Sequence, residues 1–299
     1  MDRFHLMSVF VAVADAGSFS GAARNLKMSP PSVTRAINAL EGRLKIKLLN
    51  RTTRSVRVTE AGRLYLDFAR RIIGEMEEAE DAAAGIYSAP RGLLTVTAPV
   101  QFGKMFVTPA ILEYLDHFPE MDVSALFLDR VVNLMEEGLD VAIRIGELPD
   151  SSLKAIRVGE VRKVVCASPE YLANNPEPQR PADLAVHLIV SATAVTPTAE
   201  WKFSQGPKTI GFRVKPRLSL SSIDAALEAV TRGFGITRVM SYQAAPYLAK
   251  GQLKTILTSY EPPPLPIHVL HPEGRYTSAK IRSFVDFVVA HLKANLPLN

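Results

Sequence analysis

A single cysteine, Cys166, occurs in 299 residues, so no intrachain disulfide forms, and neither a CxxC pair nor a Cys/His cluster offers zinc a tetrahedral ligand set. That composition suits a reducing compartment and a chain without structural metal. Long apolar runs are missing as well: nothing approaches the ~18 consecutive apolar residues of a membrane-spanning helix. The early run Val9 to Ala14 is stopped by Asp15, with no small-residue cleavage pattern behind it. This argues against a signal peptide and for a cytoplasmic protein with no membrane partner.

A coherent catalytic constellation is also lacking. "SSLK" (151–154) fits S-x-x-K, but no SDN or KTG segment accompanies it. His268 and His271 lie three apart on a predicted strand, on opposite faces, and do not share a metal. "RGFG" (232–235) is an incomplete glycine motif that follows a helix, where Gly233 is better read as a helix cap. The chain is therefore expected to be no enzyme and to carry no cofactor.

What is present is an ordinary globular composition, 47% apolar and 22% charged, in a chain longer than one usual domain. The charge is unevenly placed. Residues 1–60 hold ten Lys/Arg and four acids, a net +6, while the rest hold 25 and 26, a net −1. A basic module joined to a neutral remainder is how a polyanion-binding segment is carried.

That basic segment reads as three short helices. Phe4, Met7, Phe10, Val11 and Ala14 keep helical spacing, with Gly17 placed to end the helix. Ser18 can cap a second helix through Phe19, Ala22, Ala23 and Leu26. A third begins at "SPPSVTRAI", where Ser29 caps, and Pro30 and Pro31 occupy first-turn positions whose N–H groups would find no helical partner. Val33, Ile37, Leu40 and Leu44 form its apolar stripe; Pro31, Thr34, Arg35 and Asn38 lie opposite, with Ser32 beside them. Short hydroxyl and amide groups with one arginine allow a helix to come close to DNA and bond base edges or phosphates.

Next, Arg51, Thr52, Thr53 and Arg54 stand between two strand-like pieces, as the tip of a basic wing. From Thr59 a helix is predicted to about Tyr87, with Ala61, Tyr65, Phe68, Ile72, Met76, Ala79, Ala83 and Ile86 at steps of three and four. Such a seam suits pairing with a second copy, with packing on its own domain as the alternative. After "SAPRG" the pattern changes to alternating strands and helices, which predicts a parallel, helix-covered sheet in two lobes. Its predicted elements include a strand at "LLTVTAP" and a helix over 103–117. The domains are read as 1–58, 59–88 and 89–299, the last divided into lobe I (about 92–162 and 268–299) and lobe II (about 163–267).

The segment "FVAVADAGSFSGAARNLKMSPPSVTRAINALEGRLKIKLLNRTTRSVRVTEAG" closely resembles the DNA-binding part of LysR-type transcriptional regulators. "RGLLTVTAPVQFG", "DVAIRIGELPDSSL" and "GFGITRVMSYQAAPYLAKGQL" are similar to their effector domain. The resemblance spans nearly the whole chain. It implies a winged helix-turn-helix, a dimerising linker helix and a two-lobed α/β domain like periplasmic binding proteins, with a small effector between the lobes. Homotetramers that bind and bend DNA, and contact with RNA polymerase, follow from the same resemblance. By it, Pro30, Pro31, Ser32, Thr34 and Arg35 enter the major groove, and Arg51, Thr52, Thr53 and Arg54 form the wing; Ser29 and Asn38 of the same helix are counted with the DNA-binding residues. Where many relatives carry Gln and Ser, this chain has Pro30 and Thr34, so base readout shifts toward Ser32, Thr34 and Arg35.

Ligands of α/β sheets gather at the carboxyl ends of strands, near helix N-termini. On that logic the effector residues are Pro99, Val100, Gln101 and Phe102, then Asp129 and Arg130, then Arg144 and Gly146, with Ser221 and Ser222 from the other lobe. Two arginines and helix N-termini suit a carboxylate, although Arg130 can instead pair with a surface acid and the serines can simply cap. Two rival readings use less of the chain. A solute-binding protein leaves the basic helix-turn-helix unexplained, and a nucleoid-type binder leaves the last two hundred residues unused.

Overall fold

The computed structural model describes residues 2–51, 56–83, 89–148, 153–192, 200–272 and 278–296. The chain falls into two compact units, 1–93 and 94–299.

The first unit contains α1 (Arg3–Ala16), α2 (Phe19–Asn25), α3 (Pro30–Leu44), β1 (Leu49–Arg51), β2 (Val56–Val58) and α4 (Glu60–Ala83). Local chemistry sets the helix ends. Gly17 closes α1 in the left-handed region at φ +58°, and Ser18 caps α2 by accepting from the Gly21 N–H at 3.1 Å. Ser29 caps α3 ahead of its two prolines. Leu6, Val9, Phe10 and Val13 of α1 enclose one core with Ala22, Ala23, Val33, Ala36, Ile37 and Leu40. Each fully buried Val, Ile or Leu here contributes about 1.5–3 kcal/mol.

The antiparallel pair β1–β2, with Leu49 opposite Val58, is tied to α3 by one buried carboxylate. Glu41 Oε1 accepts the N–H groups of Leu48 (2.9 Å) and Leu49 (3.1 Å), and Oε2 accepts from the Lys47 ammonium at 2.7 Å. Thr59 links the other strand to α4: its hydroxyl donates to the Lys47 carbonyl (2.7 Å) and accepts from the Gly62 N–H (2.9 Å).

The predicted seam of α4 divides in two. Tyr65, Leu66 and Ala69 turn onto their own unit, with the Tyr65 ring 5.6 Å from that of Phe10 and an Arg70–Asp15 ion pair beside them. Leu64, Phe68, Ile72 and Met76 form a second, exposed stripe. Tyr65 thus leaves the seam and Leu64 replaces it, because an aromatic ring next to Phe10 finds its apolar partner within the domain. Ile86 and the predicted last turn fall outside the described residues.

In the second unit the chain builds β3 (Gly92–Ala98), α5 (Val100–Phe102), a π-helical turn over Gly103–Val107, α6 (Thr108–His117), β4 (Met121–Phe127), α7 (Leu134–Glu137), β5 (Val141–Ile145) and β6 (Leu153–Val161). It then crosses into lobe II: β7 (Lys163–Ala167), α8 (Pro169–Asn174), β8 (Ile189–Ala192), β9 (Glu200–Gln205), β10 (Lys208–Arg213), β11 (Pro216–Leu220), α9 (Ile223–Thr231), β12 (Ile236–Met240), α10 (Ser241–Ala249) and β13 (Lys254–Ile256). It returns to lobe I through β14 (Leu265–Pro272) and α11 (Ala279–Asn295).

The two sheets run β4-β3-β5-β14-β6 and β11-β8-β12-β7-β13. Both are mixed, which corrects the predicted parallel sheet. β3 and β5 are parallel, as are β8, β11 and β12, but β14 is antiparallel to β5 and β6, and β7 is antiparallel to β12 and β13. The reversed strands are those next to the crossings: a chain that enters a sheet from the other lobe arrives from the opposite end. The helix predicted over 103–117 starts at Val100 and is interrupted by the π-turn, where Gly103 lies under Phe127 so closely that a Cβ would fall 2.5 Å from the ring. The β9–β10 hairpin was not among the predicted elements; its Trp201 and Phe203 alternate into the lobe II core around a Gly206 turn.

Burial raises the Glu41 carboxyl, yet its bonds to Lys47 and to the Leu49 and Leu48 amides outweigh that and leave its pKa below the ordinary value. A lowered folded-state pKa adds stability that is present above the unfolded value, about 4.3, and is lost as pH falls through the folded one. Glu41→Ala should therefore destabilise the first unit by about 1–3 kcal/mol, and Glu41→Gln should remove part of its acid sensitivity, both read by calorimetry of the full chain from pH 7 to 3. Unchanged acid sensitivity in Glu41→Gln would exclude this carboxylate as the cause. Cys166 is fully buried and its thiol is pushed up to about 12 by burial. It should stay unreacted with Ellman's reagent at neutral pH until the protein is denatured; prompt reaction of the native protein would contradict that environment.

Candidate nucleic-acid interface and ligand cleft

On α3 the buried and exposed sides separate cleanly. Val33, Ala36, Ile37, Leu40 and Glu41 point inward, while Ser29, Pro30, Pro31, Arg35 and Asn38 are exposed and Ser32 and Thr34 are half-buried. The polar groups are pre-positioned by local bonds. Ser29 Oγ accepts the Ser32 N–H at 3.3 Å and lies 2.8 Å from Ser32 Oγ, which in turn accepts from Arg35 Nη2 at 3.2 Å. Thr34 Oγ1 donates to the Pro30 carbonyl at 3.0 Å, so its proton is spent on its own helix, leaving a lone pair and the methyl group for a partner.

The acid of this helix, Glu41, is taken out of play by its inward bonds, so the exposed face carries no negative charge. Exposed Arg24, Lys27, Arg43, Lys45, Lys47 and Arg57 belong to the same unit. Arg51 lies on β1, in register with Val56. Thr52, Thr53 and Arg54 lie outside the described residues.

In the second unit, the predicted cleft residues separate into three groups. Gln101 and Asp224 meet across the lobes: Gln101 Nε2 donates to Asp224 Oδ1 at 2.5 Å, while the buried Gln101 Oε1 has no hydrogen-bond partner among the described residues. Arg144 is half-buried on β5, opposite His268 of β14. Its Nη2 also lacks a partner, as does Nδ1 of His268. Burial lowers the Arg144 pKa, Glu137 opposes that shift and Arg130 adds to it.

Other predicted residues serve the scaffold. Asp129 accepts the Val100 N–H at 3.0 Å and so caps α5 behind Pro99. Ser222 caps α9 by accepting from the Ala225 N–H at 3.4 Å, and Ser221 is exposed just before it. Gly146 takes φ +119° and donates its N–H to the Pro266 carbonyl at 2.9 Å.

Two further predicted residues have partners of their own. Arg130 is exposed and holds Glu137 with two bonds, 2.7 and 2.8 Å, so its guanidinium is engaged at the surface rather than offered to a ligand. Phe102 is fully buried, packed on Phe106 (4.9 Å between centroids) and edge-on to Tyr242 (5.5 Å), so it is core.

Sequence reasoning missed Asp224 and Tyr242. Burial, and secondarily Asp129, push the Tyr242 hydroxyl well above its usual range, keeping it neutral; it accepts from Gln243 Nε2 at 3.2 Å. Asp224 had a readable signal, an acid two residues past a capping serine. No sequence pattern marked Gln101 as its partner 123 positions away.

Residues 4–63 match the family described as bacterial regulatory helix-turn-helix protein, lysR family, and residues 88–293 match the LysR substrate binding domain. An HTH-type transcriptional regulator of Xanthomonas campestris pv. campestris is 33% identical over 288 residues, covering 95% of this chain and 84% of the relative. The structure of CrgA, a LysR-type transcriptional regulator from Neisseria meningitidis, is 30% identical with a TM-score of 0.62, over 96% of this chain and 98% of that one. The full-length Vibrio cholerae virulence activator AphB superimposes with a TM-score of 0.61 at 25% identity, over 97% and 99%. With a helix-turn-helix match over its first unit, a substrate-binding-domain match over its second and full-length structural likeness, the chain belongs to the LysR family of DNA-binding transcriptional regulators.

Proposed function

We propose that this regulator reads its operator with the outer face of α3 and responds to a small effector held where Gln101 and Asp224 meet. The observation that supports the first part is the outward face made by exposed Ser29, Pro30, Pro31, Arg35 and Asn38 with half-buried Ser32 and Thr34, from which Glu41 is withdrawn. Arg35 is the one group there able to bond a guanine edge with two parallel N–H donors. The wing, with Arg51, Thr52, Thr53 and Arg54, supplies contacts to phosphate or the minor groove.

The exposed stripe of α4, Leu64, Phe68, Ile72 and Met76, is 45–63% accessible and four residues apart at each step. It supports a homodimer through this helix, and the family likeness supports homotetramers, work in the cytoplasm and contact with RNA polymerase. No single helix among the described residues is long and apolar enough to cross a membrane.

For the effector, the supporting observation is a pair of unmet groups at the carboxyl ends of neighbouring parallel strands. The Gln101 oxygen seeks a donor, and Arg144 Nη2 seeks an acceptor. A molecule with a carboxylate toward Arg144 and a hydroxyl or amine toward Gln101 satisfies both.

Arg35→Ala should weaken binding to DNA fragments selected from a genomic pool by about 1–3 kcal/mol and relax preference at one base pair. Fluorescence anisotropy at fixed salt reads the effect, and unchanged affinity and preference would sink the assignment. Titration calorimetry against a panel of small hydroxy- and aminocarboxylates should show a bound member whose affinity falls about tenfold in Gln101→Ala and in Arg144→Ala. Equal affinity in all three proteins would remove these residues from the effector site.

A further inference from the structure

The lobe II sheet face that buries Val165, Ala167 and Ile236 ends in two cations. Arg238 on β12 stands opposite Val165, and Lys163 on β7 stands opposite Met240, so strand alternation puts both on the face covered by the β9–β10 hairpin. The Arg238 guanidinium lies 5.1 Å from the centroid of the Trp201 ring, and its Nη1 donates to the Lys202 carbonyl at 3.1 Å. Stacking and that bond orient the guanidinium plane while using one of its five N–H donors. Burial pushes the Arg238 pKa down to about 10, which leaves it cationic at neutral pH. Lys163 is also half-buried; burial first, then the charges of Arg238 and Lys202, depress its ammonium.

Among the described residues, Lys163, Lys202 and Arg238 form no ion pair: Glu160 holds Arg157, Glu177 holds Lys254, and Glu261 holds Arg162 through Oε2 while its buried Oε1 has no hydrogen-bond partner among the described residues. Lys163 and Arg238, both half-buried, repel one another and lose hydration with no ion-pair partner among the described residues, and Lys202, exposed on the other face of the hairpin strand from Trp201 and Phe203, adds its charge to the field at Lys163. A bound anion relieves both costs.

We propose that Lys163 and Arg238, in the added field of Lys202, form a binding site for a dianionic oxyanion group. The free edge of the Arg238 fork takes two oxygens side by side, and the Lys163 ammonium, with the more distant charge of Lys202, matches the second negative charge. A phosphate or sulfate group has this chemistry, and so has a small dicarboxylate. A monocarboxylate leaves the cations in excess. The site lies within one lobe, so it goes beyond the cleft reading and does not depend on it.

The test is titration calorimetry of the full chain with inorganic phosphate, sulfate, succinate and acetate at constant ionic strength. At least one of the three dianions should bind one per chain, and acetate about tenfold more weakly or not at all. Phosphate or sulfate without succinate assigns the site to phosphoryl or sulfuryl groups, and the reverse assigns it to dicarboxylates; either outcome supports it. Lys163→Met and Arg238→Met should each weaken the dianion about tenfold, with Arg238→Lys in between because it keeps charge without the fork. Lys202→Ala alters an exposed side chain and leaves the core packing alone, so it reads the site even where Arg238→Met fails to fold. No dianion binding, or equal affinity in Lys163→Met, Lys202→Ala and the parent, would overturn the proposal. Gln101→Ala should leave dianion binding unchanged; a loss there would place the anion in the cleft and overturn this site while leaving the cleft reading intact.

Discussion

The one-sided burial of α3 is the constraint on which the DNA-binding unit depends. Val33, Ile37 and Leu40 are pressed into a core with α1 and α2, so the helix cannot rotate without exposing them. Fixing that rotation fixes which residues face outward. The two prolines determine where the helix begins, and Ser29 completes its first turn. Glu41 then uses an inward position of the helix to hold the start of β1, tying the strand pair to α3. The same carboxylate that organises the backbone is thereby removed from the exposed polar face of the helix.

The regulatory unit answers a different requirement, that of joining two lobes with very few strands. β14 enters the lobe I sheet from lobe II, and β7 enters the lobe II sheet from lobe I, each antiparallel to its neighbours. At the crossing, Leu265 of β14 pairs with Val161 of β6, and the Ser241 N–H at the end of β12 donates to the Arg162 carbonyl at 2.8 Å. Lobe separation is therefore opposed by backbone bonds at the hinge and by the Gln101–Asp224 bond across the cleft. A ligand that competes for Gln101 acts directly on the second of these.

Much of the first unit was legible because its signals are local. Caps at Gly17, Ser18 and Ser29, the stripe of α3 and the outward polar groups depend on neighbours within four residues. Less of the regulatory unit could be read. Strand direction follows from which lobe the chain has just left, and no short window contains that. Arg130 looked available until α7 brought Glu137 beside it, and Phe102 looked like cleft lining until Phe106 and Tyr242 enclosed it. Tyr65 kept perfect seam spacing and yet turned inward, since the helical period alone does not say which of two adjacent stripes meets Phe10.

The amino-acid sequence by itself determined the order of modules, the placement of positive charge in the first sixty residues and the identity of the outward face of α3. These follow from periodicity, capping and composition, which act over a few residues. Tertiary structure alone decided which polar groups keep a partner: Arg130 found Glu137 and Gln101 found Asp224, while among the described residues Arg144 Nη2 has no hydrogen bond and Lys163 and Arg238 form no ion pair. Such pairing is a property of distances between residues far apart in the chain, and it exists only once the sheets have set those distances.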